Sequence, residues 1–355
     1  MSITHFITRE FEIYGSVDGD KAVFSKALVN PSFSRLYNVK TKQIRENEKY
    51  LAFPFFIKLG SSIVGIFSEG DAHADSDRQI IARSDDDGLT WDQGVFYENS
   101  TQEYDFSLLS DILPDGDSTT LKVWNVKNTG GVLSASIIST VDNGGITYAL
   151  WSAIIDISGT LYRSGYGDGK SALFSSVDSG ASWVFVSVIA EDAGLDFTET
   201  AIIETTTPGT IVAIIRENNL SGNRLYKATS ADTGATWGAF VQLGTEIRGR
   251  QPNLVKMSPS NNIILCTGDR VGTSGKAAGI NTQFTNSTGI GMWVSTDQTS
   301  TWGFETKLDG MYSTDGGQPH SVPLGNERVF IPYYSRKDVS REPGIYSVAL
   351  DTDTL

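Results

Sequence analysis

Four strand-like runs of this chain open on a polar residue a few positions ahead of a turn signal, and chemistry would start at these points. They are Asp105 in YDFSLLSDILPDG, Glu199 in TETAIIETTTPG, Gln251 in RQPNLVKMSPSN and the Gln318/His320 pair in GQPHSVPLGN, with Ala52 at the matching point of LAFPFFIKLGSS. A carboxylate such as Glu199 can take or give a proton, while Asp105, Gln251 and His320 are candidates to bind substrate. A second set ends the strands that follow: Glu69, Arg216, Arg270 and Arg336. Arginine's planar fork grips a carboxylate at two points, so clustered inner arginines point to an acidic ligand. The plainer reading gives each arginine to water or a neighbouring Asp. Arg216 stands apart, because Glu199 opens one strand and Arg216 ends the next, which lets the two meet across a hairpin.

The elements that would position these residues are marked by a recurring phrase. SDDDGLTW (84–91), SVDSGASW (176–183) and SADTGATW (230–237) share Ser-x-Asp-x-Gly-x-(Ser/Thr)-Trp, and STDQTSTW (295–302) repeats it with Thr299 in the glycine's place. Asp and Ser side chains bond the backbone of a tight turn, Gly supplies positive φ, and Trp covers an apolar layer. STVDNGGITY (139–148) reads as a decayed copy in the long first interval, which leaves a period of about fifty residues, in the range of propeller blades. Apolar strands and turns precede each copy, as in GSSIVGIF and PGTIVAIIR, so each unit is a small antiparallel sheet. LPDGDSTTLKVW with VLSASIIS, and LGNERVFIPYYSR with GIYSVALD, supply two units without the phrase. The expected fold is therefore all-β, a six-bladed β-propeller of four-stranded antiparallel blades forming one domain over 1–355. FEIYGS or KALVNP near the N-terminus would complete the last blade and remove an open edge.

Composition narrows the function classes. The 355 residues carry 28 Lys and Arg against 42 Asp and Glu, a net charge of −14 that repels phosphate backbones, so nucleic acid is not the expected partner. The single cysteine, Cys266, lies in NNIILCTG and reads as a buried strand thiol. No export signal opens the chain, and no run of about 18 apolar residues marks a membrane span. The acidic turns lack the dense oxygen spacing of a calcium loop, so neither a metal nor any other cofactor is expected. Trp124, Trp151 and Trp293 lie outside the phrases, where such residues are core or stack on sugars.

The phrase resembles the Asp-box, or BNR repeat, of the sialidase superfamily. LAFPFFIKLGSSIVGIFSEGDAHADSDRQIIARSDDDGLTW is similar to the first blade of sialidases: Pro54 matches the proline of their Arg-x-Pro motif, and Ala52 stands where the arginine would be. The resemblance implies a six-bladed propeller and places the acid/base loop on GDAHADSD, at His73 or Asp75. It carries the family's Glu and second Arg to Glu199 and Arg216, and the third Arg to Arg270. GQPHSVPL, with His320, stands where the nucleophilic Tyr would lie, and Tyr312 is the nearest tyrosine before it. Two retained arginines, a Glu and a His resemble phage endosialidases. The implied activity is glycan cleavage by an endosialidase-like glycosidase or other polysaccharide depolymerase acting on a bacterial surface polysaccharide. A tailspike origin would imply a virion-tail or extracellular location and a homotrimer; a cytoplasmic location stays open. Acidic polysaccharide is one candidate partner, although the acidic chain favours a sparsely charged or neutral glycan. A non-catalytic carbohydrate-binding or receptor-binding propeller and a polysaccharide lyase stand as alternatives.

Overall fold

The computed structural model describes residues 4–8, 11–18, 21–29, 36–45, 49–59, 61–72, 78–97, 111–115, 122–129, 132–137, 140–178, 180, 182–219, 223–269, 288–303, 306–311, 316–336 and 342–353. Among them every regular element is a strand, and no helix is long and apolar enough to cross a membrane. In chain order, β1 (Thr4–Thr8), β2 (Phe11–Asp18), β3 (Lys21–Val29) and β4 (Leu36–Arg45) come first. Blade I follows as β5 (Tyr50–Leu59), β6 (Ser62–Gly70), β7 (Arg78–Ser84) and β8 (Asp92–Tyr97). A three-stranded sheet comes next: β9 (Asp111–Asp115), β10 (Lys122–Thr129) and β11 (Val132–Ile137). Blade II is β12 (Thr140–Asn143), β13 (Ile146–Ile157), β14 (Thr160–Gly167), β15 (Lys170–Ser176) and β16 (Val184–Ala190). Blade III is β17 (Phe197–Glu204), β18 (Ile211–Glu217), β19 (Leu225–Ser230) and β20 (Val241–Gln242). Blade IV is β21 (Arg250–Lys256), β22 (Ile263–Asp269), β23 (Gly289–Ser295) and β24 (Thr306–Gly310). Blade V is β25 (Gly316–Gly317), β26 (Val322–Gly325), β27 (Arg328–Ser335) and β28 (Gly344–Asp353), extended by β4, β3, β2 and β1 in that order.

Three expectations change. Among the described residues the propeller-like arrangement has five blades rather than six, the LPDGDSTTLKVW and VLSASIIS segments giving the three strands β9–β11 there. The supposed decayed copy near 139–148 is the β12–β13 hairpin instead. Gly144 and Gly145 take φ of 60° and 84°, as a two-residue turn with positive φ at both central positions requires, and β12 becomes a fifth strand of blade II. The strand paired with β28 is β4; FEIYGS and the described KALV of KALVNP lie farther out, in β2 and β3.

The core sits between blades, and the central strands explain why. In β18, Ile211, Ala213 and Ile215 pack towards blade II, while the alternate Val212 and Ile214 pack towards blade IV. β22 divides its side chains in the same way, Ile263 and Leu265 one way, Ile264 and Cys266 the other. So does β27, whose Val329, Ile331 and Tyr333 face blade IV and whose Phe330 and Tyr334 face blade I. A strand covered on both faces needs apolar residues at every position, which is why these segments read as unbroken apolar runs. Each fully buried Ile, Leu or Val contributes roughly 1.5–3 kcal/mol. Cys266 belongs to this core, and burial pushes its thiol up to about 12.

The four phrases make one hydrogen-bond pattern. In the first, the Ser84 hydroxyl donates to Asp86 and accepts from Gly88 N, while Asp86 accepts from the amide and hydroxyl of Thr90. Ser176/Asp178/Gly180/Ser182, Ser230/Asp232/Gly234/Thr236 and Ser295/Asp297/Thr299/Thr301 repeat these bonds. The phrase also joins blades. Trp91 packs on Phe330 of blade V at 5.5 Å between ring centres, and Trp237 Nε1 donates to Ser187 of blade II at 3.0 Å.

Candidate functional site

At the inner ends of the blades the apolar layers give way to polar side chains, and the backbone there is irregular in a repeated way. In β5, β13, β17 and β21 the register with the next strand slips at one place: between Ala52 and Phe55, Trp151 and Ile155, Phe197 and Thr200, and Arg250 and Asn253. These are β-bulges, which re-aim side chains at rims and sites. Phe53, Ser152 and Gln251 hold φ of 56°, 68° and 52° inside them. Blade V has the equivalent break between β25 and β26, where Gln318 holds φ of 47°. Pro54, Pro252 and Pro319 follow the strained residue in three of these places, where a missing N–H costs no ladder bond.

The β17 bulge puts two residues, Thr198 and Glu199, opposite one, Arg216, on β18. That registry brings the pair together. Arg216 Nη1 donates to Glu199 Oε2 at 2.5 Å, and Nη2 donates to Asn218 Oδ1 at 2.7 Å. Asn218 in turn donates to Asp196 at 3.0 Å. Glu199 Oε2 also accepts from Gln251 N at 3.2 Å, and Gln251 Oε1 accepts from Gln318 N at 3.0 Å. A continuous chain of hydrogen bonds therefore runs from Arg216 through Glu199 and Gln251 to Gln318, across blades III, IV and V. Asn253 accepts from Ser321 N at 2.7 Å beside it, and Ser164 donates to Thr200 O between blades II and III. Both bonds to the Glu199 carboxylate fall on Oε2. Oε1 accepts none from a described residue.

An open cavity with about 380 Å³ of empty space, part of it solvent, adjoins this chain. Its walls come from four blades: Phe55 of blade I, Trp151, Ser152, Ala153 and Arg163 of blade II, Gln251 to Asn253 of blade IV, and Gln318 to His320 of blade V. His320 lies against Phe55 at 3.8 Å between ring centres. Burial pushes its imidazole down to about 4, with the Phe56 backbone opposing, so it is neutral at pH 7. Arg163, fully buried, donates to Trp151 O and Ser152 O, carbonyls the β13 bulge takes off the ladder, and lies over the Trp183 ring at 5.5 Å. Tyr166 touches Trp151 edge-on at 6.2 Å. Burial and then the Glu199 carboxylate push its hydroxyl well above the usual tyrosine value.

Of the residues singled out in the sequence, Glu199, Arg216, Gln251 and His320 are therefore within one linked region. Arg336 is elsewhere engaged, in a 2.8 Å ion pair with Glu342. Ala52 is buried in the layer between blades I and V, and Glu69 is buried near it. Trp293 is core, whereas Trp151 lines the cavity. His73, Asp75, Asp105, Arg270, Tyr312 and the Trp124 side chain lie outside the described residues. Sequence reasoning passed over Ser152, Arg163, Asn253 and Tyr166. A proline interrupting an inner-strand run marks the bulges at Pro54, Pro252 and Pro319; nothing comparable marks Ser152.

No family profile matches the chain, and no curated protein sequence does. Among solved structures it is similar to a protein of unknown function from Dyadobacter fermentans DSM 18053, with a TM-score of 0.67 and 19% identity over 89% of this chain and 99% of that one. It is similar to the endosialidase of phage phi92, with a TM-score of 0.59 and 10% identity over 89% of this chain and 70% of that one. The NanB sialidase from Streptococcus pneumoniae matches with a TM-score of 0.56 and 13% identity, over 87% and 70% of the two chains. At these identities the likeness is one of fold: the chain shares the propeller-like arrangement of sialidase structures.

Proposed function

We propose that this chain is a glycan-cleaving propeller, a glycoside hydrolase acting on a bacterial surface polysaccharide, with Glu199 at its centre. The observation that carries the reading is the Glu199 carboxylate, 8% exposed, fixed through Oε2 by Arg216 and by the N–H of Gln251, a residue of the open cavity's wall. In the reaction, Oε1 takes a proton from water as the water oxygen bonds the anomeric carbon. The glycosidic C–O bond breaks, and its oxygen takes a proton from His73 or Asp75. Held by both terminal nitrogens, Arg216 orients Glu199 and Asn218, while its buried Nε makes no hydrogen bond. We read the four phrases as Asp-boxes and the chain as endosialidase-like, with Arg270 as a further substrate contact and a tailspike trimer as its setting, which sedimentation would test.

The experiment is incubation with capsular and lipopolysaccharide glycans while reducing ends and fragment size are followed. Shortening that disappears in Glu199→Gln supports hydrolysis. Binding of intact glycan with an indifferent Glu199→Gln replaces it with a carbohydrate-binding propeller. A product that absorbs as an unsaturated uronate replaces it with a lyase.

A further inference from the structure

Gln251 holds a left-handed backbone, φ of 52°, in the middle of the hydrogen-bond chain that reaches Glu199. A residue other than glycine carries strain in that region, and such strain persists where the surroundings over-determine the conformation. Two hydrogen bonds and one close backbone contact do so here. The Gln251 N–H donates to Glu199 Oε2 at 3.2 Å, and Gln251 Oε1 accepts from Gln318 N at 3.0 Å. Gln318 is itself left-handed, at φ of 47°, and a proline follows each of the two glutamines.

The close contact joins blades IV and V. β22 and β25 approach each other at Gly268 and Gly317, both buried. A Cβ at Gly268 would lie 2.9 Å from the Gly317 Cα; one at Gly317 would lie 3.0 Å from the Gly268 Cα and 3.1 Å from Gln251 Oε1. Residues without a side chain let the two backbones touch. Gly268 pairs in register with Arg250, the neighbour of Gln251, and Gly317 precedes Gln318. The touching backbones therefore set the distance that the Gln251–Gln318 bond spans. Its effect reaches Glu199, where Arg216 of blade III and the N–H of Gln251 of blade IV both bond Oε2. A second donor, from a different blade, removes the rotation that one bond leaves to the carboxylate, and so fixes where Oε1 points.

We propose that Gln251 is a positioning residue for Glu199, locked by the Gly268–Gly317 contact so that its backbone N–H holds Oε2 and leaves Oε1 for the reacting water. The inference rests on the hydrolase reading for what Oε1 does, and on the hydrogen-bond geometry for how the carboxylate is held. Gln251 also lines the cavity, so a direct contact with substrate is the competing role.

The test uses the full chain labelled with 15N-glutamine, the Gln251 amide resonance being identified by its loss in Gln251→Gly. Gly268 does not hold a left-handed φ, so Gly268→Ala separates the two blades without a backbone penalty of its own. It is expected to move the Gln251 amide proton upfield, as a longer N–H···O bond requires. Both Gly268→Ala and Gln251→Gly are expected to lower kcat of glycan cleavage by about tenfold to a hundredfold with KM changed by less than about threefold, the pattern of a misplaced catalytic group. Melting curves establish that each variant folds. Should Gly268→Ala fail to fold, Gln251→Asn takes its place with 15N-asparagine labelling: asparagine accepts the left-handed backbone, but its shorter side chain does not reach Gln318 N. An amide proton that stays in place overturns the positioning role and leaves the hydrolase reading intact. So does a raised KM with unchanged kcat, which makes Gln251 a substrate contact. If the amide moves and no glycan is cleaved, the hydrolase reading falls while the hold of Gln251 on Glu199 stands.

Discussion

Arg216 and Glu199 face each other across the β17 bulge, Nη1 to Oε2 at 2.5 Å, with both side chains about 10% exposed. Two residues of β17 stand opposite one of β18, and this extra residue lets the carboxylate turn onto the guanidinium. The pair is thus a product of backbone register as much as of charge.

Breaking it from one side leaves a buried charge behind. Glu199→Ala is expected to destabilise the chain by about 3 kcal/mol, the scale of a broken buried ion pair. Adding Arg216→Met removes the orphaned charge and recovers most of that loss. Urea denaturation of the single and double variants measures it; a double variant as unstable as Glu199→Ala would mean the charge is not the cause.

The phrase at 295–302 keeps the serine and aspartate bonds common to all four phrases but holds Thr299 at φ of 72°, where Gly88 and Gly234 hold 88° and 83°. A β-branched residue in that region carries about 1–3 kcal/mol of strain, and glycine's extra unfolded-state freedom offsets part of the relief. Thr299→Gly is expected to stabilise by about 1 kcal/mol. Gly234→Ala acts the other way, because its new Cβ would meet Leu173 Cδ2 at 2.0 Å. Thermal melting of the two variants should move in opposite directions.

Acid should unfold the chain in two windows. His320 binds its proton at about 4 in the fold against 6.5 when unfolded, so the unfolded chain takes up more protons as pH falls from 6.5 to 4, and stability of order 3 kcal/mol is lost there. Asp86 and Asp232, lowered from 3.8 to about 2 first by the hydroxyls of Thr90 and Thr236, lose their contribution only as pH falls through 3.8 towards 2. Melting temperature against pH should flatten between 6.5 and 4 in His320→Gln and keep its lower drop. An unchanged upper drop in that variant would refute the assignment to His320.

Trp91 works as an inter-blade wedge, packed against Phe56 of its own blade and Phe330 of blade V. Truncation to Ala is expected to cost about 3 kcal/mol by denaturant titration. Val177, at the outer turn of the second phrase and 85% exposed, should tolerate Ser with a change inside ±0.5 kcal/mol.

The sequence alone determined the parts of this protein that obey local rules. The Ser, Asp and Gly of SDDDGLTW and its copies bond within eight residues, so their turns are legible wherever they occur. IVAII, IILC and VFIPYY announce strands buried on both faces because each alternate side chain meets a different blade. Glu199 and Arg216 are also readable as neighbours, one opening a strand and the other ending the next. Tertiary structure decided the rest. The LPDGDSTTLKVW segment could be counted as a blade and yet gives, among the described residues, the three-stranded sheet β9–β11. Which residues face the axis depends on bulges, and a bulge shifts the facing of every side chain beyond it by one place. The left-handed φ of Ser152 has no signature in residue type, while that of Gln251 is flagged only by the proline after it. Trp151 and Arg163 come from blade II and Gln318 and His320 from blade V, so they meet only in the tertiary structure.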